Sequence, residues 1–264
     1  APVYAECPGP GCPAVDDEVS FGVGEEPDFS DVSDGFVGGV IGGLVGLDPN
    51  LYGENNLHSN LCSEIGSATT GNDADPTIVL REQFCVARNY AKVRGLEIIS
   101  KTAGFSPEEI PDKCAVFVSL TKEYIETVST KPRDEVLKNV SFLVGQSGMA
   151  HGELEITAKA CLGLGYATNN DHALLGAVLV LAALGHESYS ELIGYMLFSG
   201  YGGVSQRPHL ALPWYELSLD DLADGGSTSL APNMPDRAAL IRKAVVAAAS
   251  ETKSTGKEAP AAVQ

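Results

Sequence analysis

Residues 187–222, ESYSELIGYMLFSGYGGVSQRPHLALPWYELSLDDL, restrict the fold more than any other stretch of this chain. Leu192, Ile193, Tyr195, Met196 and Phe198 surround Gly194 at helical spacing, and Leu210, Ala211, Trp214, Tyr215 and Leu217 form a second helical set. Gly200, Gly202 and Gly203 lie between them, where a turn needs backbone angles with φ > 0 that are cheap only for glycine. The small residues Gly194 and Ala211 mark places where two helices approach closely. The unit is a helical hairpin. It cannot bury its apolar face alone, so it requires stacked neighbours.

A shorter stretch of the same character precedes it at 158–186. Leu162-Gly163 or Leu164-Gly165-Tyr166 opens this copy, Asn169-Asn170-Asp171 forms its turn, and Ala182-Ala183-Leu184-Gly185-His186 closes it. The full pattern of the second unit is Leu-Ile-Gly-Tyr-Met, the glycine loop ending in Val204, then Ala211 with Trp214-Tyr215. It resembles the Sel-one-like repeats, a subclass of the tetratricopeptide-type α-solenoids. Gly194, Gly200, Gly202, Val204, Ala211, Trp214 and Tyr215 carry the match. Gly203 lengthens the usual loop by one residue, Arg207-Pro208 replaces the usual acidic residue, and Ser218-Leu219 stands where the family has an Ala-Ala pair. The resemblance implies an all-α array at 158–222 with a concave face for a peptide or a subunit. Gly194, Gly200, Gly202 and Ala211 would be its structural residues, and Tyr166, Tyr195, Tyr201, Trp214 and Tyr215 its candidates for partner contact. The competing expectation for Trp214 and Tyr215 is that they fill the core between the helices.

Elsewhere, residues 77–94 have helical periodicity, and Ser106-Pro107-Glu108-Glu109 has the composition of a helix start, with Pro111 expected to kink or restart the element. Cys114, Phe117, Val118, Leu120, Tyr124, Ile125 and Val128 predict an amphipathic helix. Asp134 opens another, with Val136, Leu137, Val140, Leu143 and Val144 turned inward, and Asp236 caps a last one. No segment shows the sustained alternation of a strand. The expected organisation is an acidic, Gly/Pro-rich arm at 1–75, a helical domain at 76–250 and a tail at 251–264. The C-terminal helix would cap the array.

Charge separates the arm from the body. Residues 1–80 hold 14 Asp and Glu and no Lys or Arg, in a chain whose net charge is −18. Such a surface repels nucleic acid and anionic membranes and favours basic protein partners or cations. Within the arm, FVGGVIGGLVGL at 36–47 places Gly38, Gly42 and Gly46 at four-residue intervals, a smooth strip for close helix approach that is too short to span a bilayer. The chain as given begins Ala-Pro-Val without Met, which suits a mature secreted or periplasmic chain after signal removal. Six cysteines, Cys7, Cys12, Cys62, Cys85, Cys114 and Cys161, favour an oxidising compartment with two or three disulfides. Cys7 and Cys12 flank a turn-rich Pro-Gly-Pro-Gly loop that suits a local bridge. Cys114 and Cys161 equally suit apolar helix faces as reduced, buried residues.

Reactive arrangements are sparse. Gly145-Gln146-Ser147-Gly148-Met149 lacks the final glycine and the preceding strand of a hydrolase elbow. The five histidines make no helical zinc pair, and Asp48–Ser59 fails two positions of a calcium loop. Asn139-Val140-Ser141 matches a glycosylation acceptor on a predicted helix. No cofactor or metal is therefore expected. The function read from the sequence is a non-enzymatic interaction scaffold or an accessory subunit of an exported assembly. The alternatives are a structural subunit of a membrane or envelope complex docked through 36–47 and, less favoured, a hydrolase.

Overall fold

A computed structural model describes residue 62 and residues 75–101, 109–223, 230–231 and 236–255. Gly38, Gly42 and Gly46, Cys7 and Cys12, and Ser106 to Glu108 of the expected helix start lie outside the described residues. Every regular element among the described residues is helical. The α-helices are α1 (Pro76–Lys101), α2 (Ile110–Thr127), α3 (Arg133–Gln146), α4 (His151–Thr168), α5 (Asp171–Ala183), α6 (Ser190–Ser199), α7 (Pro208–Ala223) and α8 (Arg237–Thr255). A short 3-10 turn at Glu187–Tyr189 leads into α6.

Local chemistry sets the helix ends. Asp75 Oδ1 accepts from the Thr77 N–H at 2.8 Å, and Pro76 takes the first helical position of α1, where its missing N–H costs nothing. Pro111 likewise sits in the first turn of α2 and does not interrupt it. Asn169 ends α4 in the left-handed conformation at φ 55°, and Asn170 then caps α5 by accepting from the Ala173 N–H at 3.0 Å. Two adjacent asparagines thereby turn the chain where the sequence predicted a turn. Gly200 does the same for α6 at φ 75°, and Gly202 and Gly203 also adopt left-handed angles. Helix α8 runs through to Thr255, beyond the boundary expected at residue 250.

Packing centres on α5. Its residues from Ala173 to Ala182 are all buried, as befits a helix that is apolar all round. Helices α2, α3, α4 and α6 surround it. Helix α1 lies on α4 and α6, and α8 packs on both α1 and α7, so the last helix covers the first. Glycine makes the tightest crossing possible: Gly95 of α1 meets Gly163 of α4 backbone to backbone. A disulfide joins Cys114 of α2 to Cys161 of α4, and a second joins Cys62 to Cys85 of α1. Cys114 and Cys161 are thus buried and also bridged. One inward expectation fails: Leu120 is 49% exposed, because the buried side of α2 follows Cys114, Phe117, Thr121 and Ile125 instead.

Candidate functional site

The α6–α7 hairpin is built by fit between small and large residues. A Cβ on Gly194 would stand 2.9 Å from the Tyr215 ring, so only glycine admits that ring. Pro213 lies inside α7, and the neighbouring carbonyls take partners from outside the helix. Arg133 Nη1 donates to the Pro213 oxygen at 2.7 Å, and Ser190 Oγ donates to the Trp214 oxygen at 2.8 Å. Ser218 Oγ returns a bond to the Ser188 oxygen at 3.1 Å. Ala211 is buried at the same contact.

Most of the aromatic candidates for partner contact are buried, and Trp214 and Tyr215 take the core position that was the competing expectation for them. Trp214, Tyr215, Tyr195 and Tyr166 are all buried, and only Tyr201 is partly exposed. Tyr195 stacks on Phe84 of α1 with centroids 4.2 Å apart, and Tyr201 meets the same ring edge-on at 5.2 Å. The Arg88 guanidinium lies over the Tyr166 ring at 5.3 Å. Helix α1 thus covers Tyr195 and Tyr201 through its Phe84. Burial pushes the hydroxyls of Tyr166 and Tyr215 well above their ordinary range.

Beneath these rings lies a polar cluster that sequence reading missed. Arg237 of α8 donates to both carboxylate oxygens of Glu191, at 2.9 and 2.7 Å, and each partner is only 4% exposed. Arg237 also donates to the backbone oxygens of Leu230 at 3.2 Å and Gln83 at 2.8 Å. Burial pushes the Glu191 carboxyl up, and the bidentate guanidinium pulls it part of the way back. A cavity of about 10 Å³ adjoins the pair, lined by Gln83, Glu191 and Arg237, by Tyr195 and Tyr215, and by the apolar Leu80, Phe84 and Ile241. These bonds tie α8 to α6 and, through the Gln83 backbone oxygen, to α1.

Reactive groups elsewhere are committed to local structure. Ser147 Oγ donates to the Val144 oxygen at 2.8 Å and accepts from the Met149 N–H at 3.3 Å, closing the end of α3. His186 Nε2 lies 3.2 Å from Glu155, whose carboxylate also pairs with Lys159. Among the described residues, no three His, Cys, Asp or Glu side chains are placed to hold a metal, and no helix is long and apolar enough to cross a membrane. The outward surface differs. Val116 and Leu120 on α2 are 62% and 49% exposed, and Phe142 on α3 is 65% exposed. Helices α2 and α3 contact each other, and both pack on α5. No family model, curated protein or solved structure matches this chain.

Proposed function

We propose that the protein is a non-enzymatic interaction scaffold, an accessory subunit of an exported assembly. It holds its partner on the outward face of the α2–α3 hairpin. The observation that carries this reading is the exposure of Val116, Leu120 and Phe142 on two adjoining helices whose inner faces are buried against α5. A contiguous exposed apolar patch marks an interaction surface, and in this reading the three side chains form one such patch. Covering the part of each that is still exposed would contribute roughly 1–2 kcal/mol apiece, before the costs of association are met. The acidic segment at 1–80 supplies a second contact that favours a basic partner.

The likeness to Sel-one-like repeats rests on the sequence motif at 158–222, which the hairpins α4–α5 and α6–α7 span. In this reading their aromatics brace the scaffold, and docking falls to the outer helices. Two disulfides support residence in an oxidising compartment, secreted or periplasmic.

The test uses a Val116→Ser/Leu120→Ser/Phe142→Ser variant beside the native chain, each immobilised and exposed to native source material. Loss of the captured partner with an unchanged far-UV CD spectrum is the expected result. Equal capture by both chains overturns the proposal.

A further inference from the structure

The cavity beside the Glu191–Arg237 pair has a chemistry that its apolar walls do not explain. Gln83 is 1% exposed, and neither its amide nitrogen nor its amide oxygen has a hydrogen-bond partner. Arg237 Nε is also buried and unpartnered, although both terminal nitrogens of that guanidinium are engaged. Buried polar groups are almost always satisfied, because leaving one unmade forfeits its full hydration. A leucine or methionine at position 83 would pack between Leu80 and Phe84 without that loss. A glutamine therefore belongs there only if something polar meets it.

We propose that this cavity binds one water molecule as a permanent part of the fold. The water accepts from Arg237 Nε, bonds the Gln83 carboxamide and donates to the Glu191 carboxylate. Size and charge select the ligand. A volume of about 10 Å³ is the room that about one water needs, which makes a single water the ligand that fits. The ion pair is neutral as a whole: an anion would face Glu191 at close range and a cation would face Arg237, so a neutral donor–acceptor fits. Three polar partners fall within the two to four that a buried water uses. The water extends the tie that Arg237 already makes to the Gln83 oxygen and joins α1, α6 and α8 a second time.

Two measurements decide this. A crystal structure that resolves other ordered waters is expected to show one isolated density peak within hydrogen-bond reach of the Gln83 amide and Arg237 Nε. An empty cavity in such a map overturns the proposal. The Gln83→Met variant keeps the side-chain volume and the backbone carbonyl. Its Tm is expected to fall, because the water loses a partner. An unchanged or raised Tm, the result for a dry cavity relieved of an unmet amide, overturns it.

Discussion

Replacing Gly163 with alanine tests the packing at its tightest point. A methyl on Gly163 would stand 2.7 Å from the Gly95 Cα and 2.8 Å from both the Gly95 carbonyl carbon and the Leu96 nitrogen. These are backbone atoms and cannot turn aside as a flexible side chain does. Carbon contacts settle near 3.5–4.0 Å, so α1 and α4 would have to part by about 1 Å. Overpacking of this kind costs about 1–3 kcal/mol. The higher helix propensity of alanine returns less than about 1 kcal/mol. The expected net loss is about 1–2 kcal/mol, or roughly 2–8 °C in Tm for a body of this size. Gly152 on the same helix is the control, because a Cβ there meets nothing within 4 Å. Urea unfolding of Gly163→Ala and Gly152→Ala, followed by far-UV CD with the disulfides intact, gives the comparison. If Gly163→Ala proves as stable as Gly152→Ala, the crossing is not as described.

Glu191→Gln leaves Arg237 buried without its counter-charge and should cost about 3–5 kcal/mol in the same urea assay, whereas Glu191→Leu with Arg237→Met should recover most of that loss. The Cys114→Ser/Cys161→Ser variant frees a loop with a sequence separation of 47 and should lose about 2–4 kcal/mol, read as a lowered urea midpoint. Burial raises the Glu97 carboxyl, but hydrogen bonds from Lys101 and Arg94 outweigh it and hold the pKa below 4.5; in Glu155, Lys159 and His186 do the same. A folded pKa below the unfolded one gives stability that is present above the unfolded value and lost as pH falls through the folded value. The urea midpoint should therefore fall as the solution is acidified below about 4.5, and Glu97→Gln/Glu155→Gln should flatten that slope. Glu191, shifted the other way, keeps its own contribution in both chains, so their difference isolates the two surface carboxylates.

Local features were legible because each needs only its neighbours. The glycines at 200, 202 and 203 and the asparagines at 169 and 170 turn the chain where the residue types require it. The all-helical class followed from periodicity and the absence of alternation. Features that depend on distant segments were not legible. Arg237 and Glu191 are 46 residues apart and lie in separately ordinary helices, so nothing in either segment signals the pair. Tyr195 reads as a groove residue until Phe84 of α1 covers it. A signal was available for α5, whose unbroken apolar run from Ala173 to Ala182 marks a helix buried on every side. Leu120 misled because it lies one position before the buried Thr121, an inversion that hydropathy cannot anticipate.

The central claim, that the outer α2–α3 face is the working surface, is tested most directly by amine-reactive cross-linking of the captured complex with mass-spectrometric mapping. Lys113, Lys122 and Lys138 are exposed on those two helices and flank Val116, Leu120 and Phe142. The expected result is cross-links to the partner from these three lysines. Cross-links confined to Lys92, Lys101, Lys159 and Lys243, on α1, α4 and α8, would contradict it.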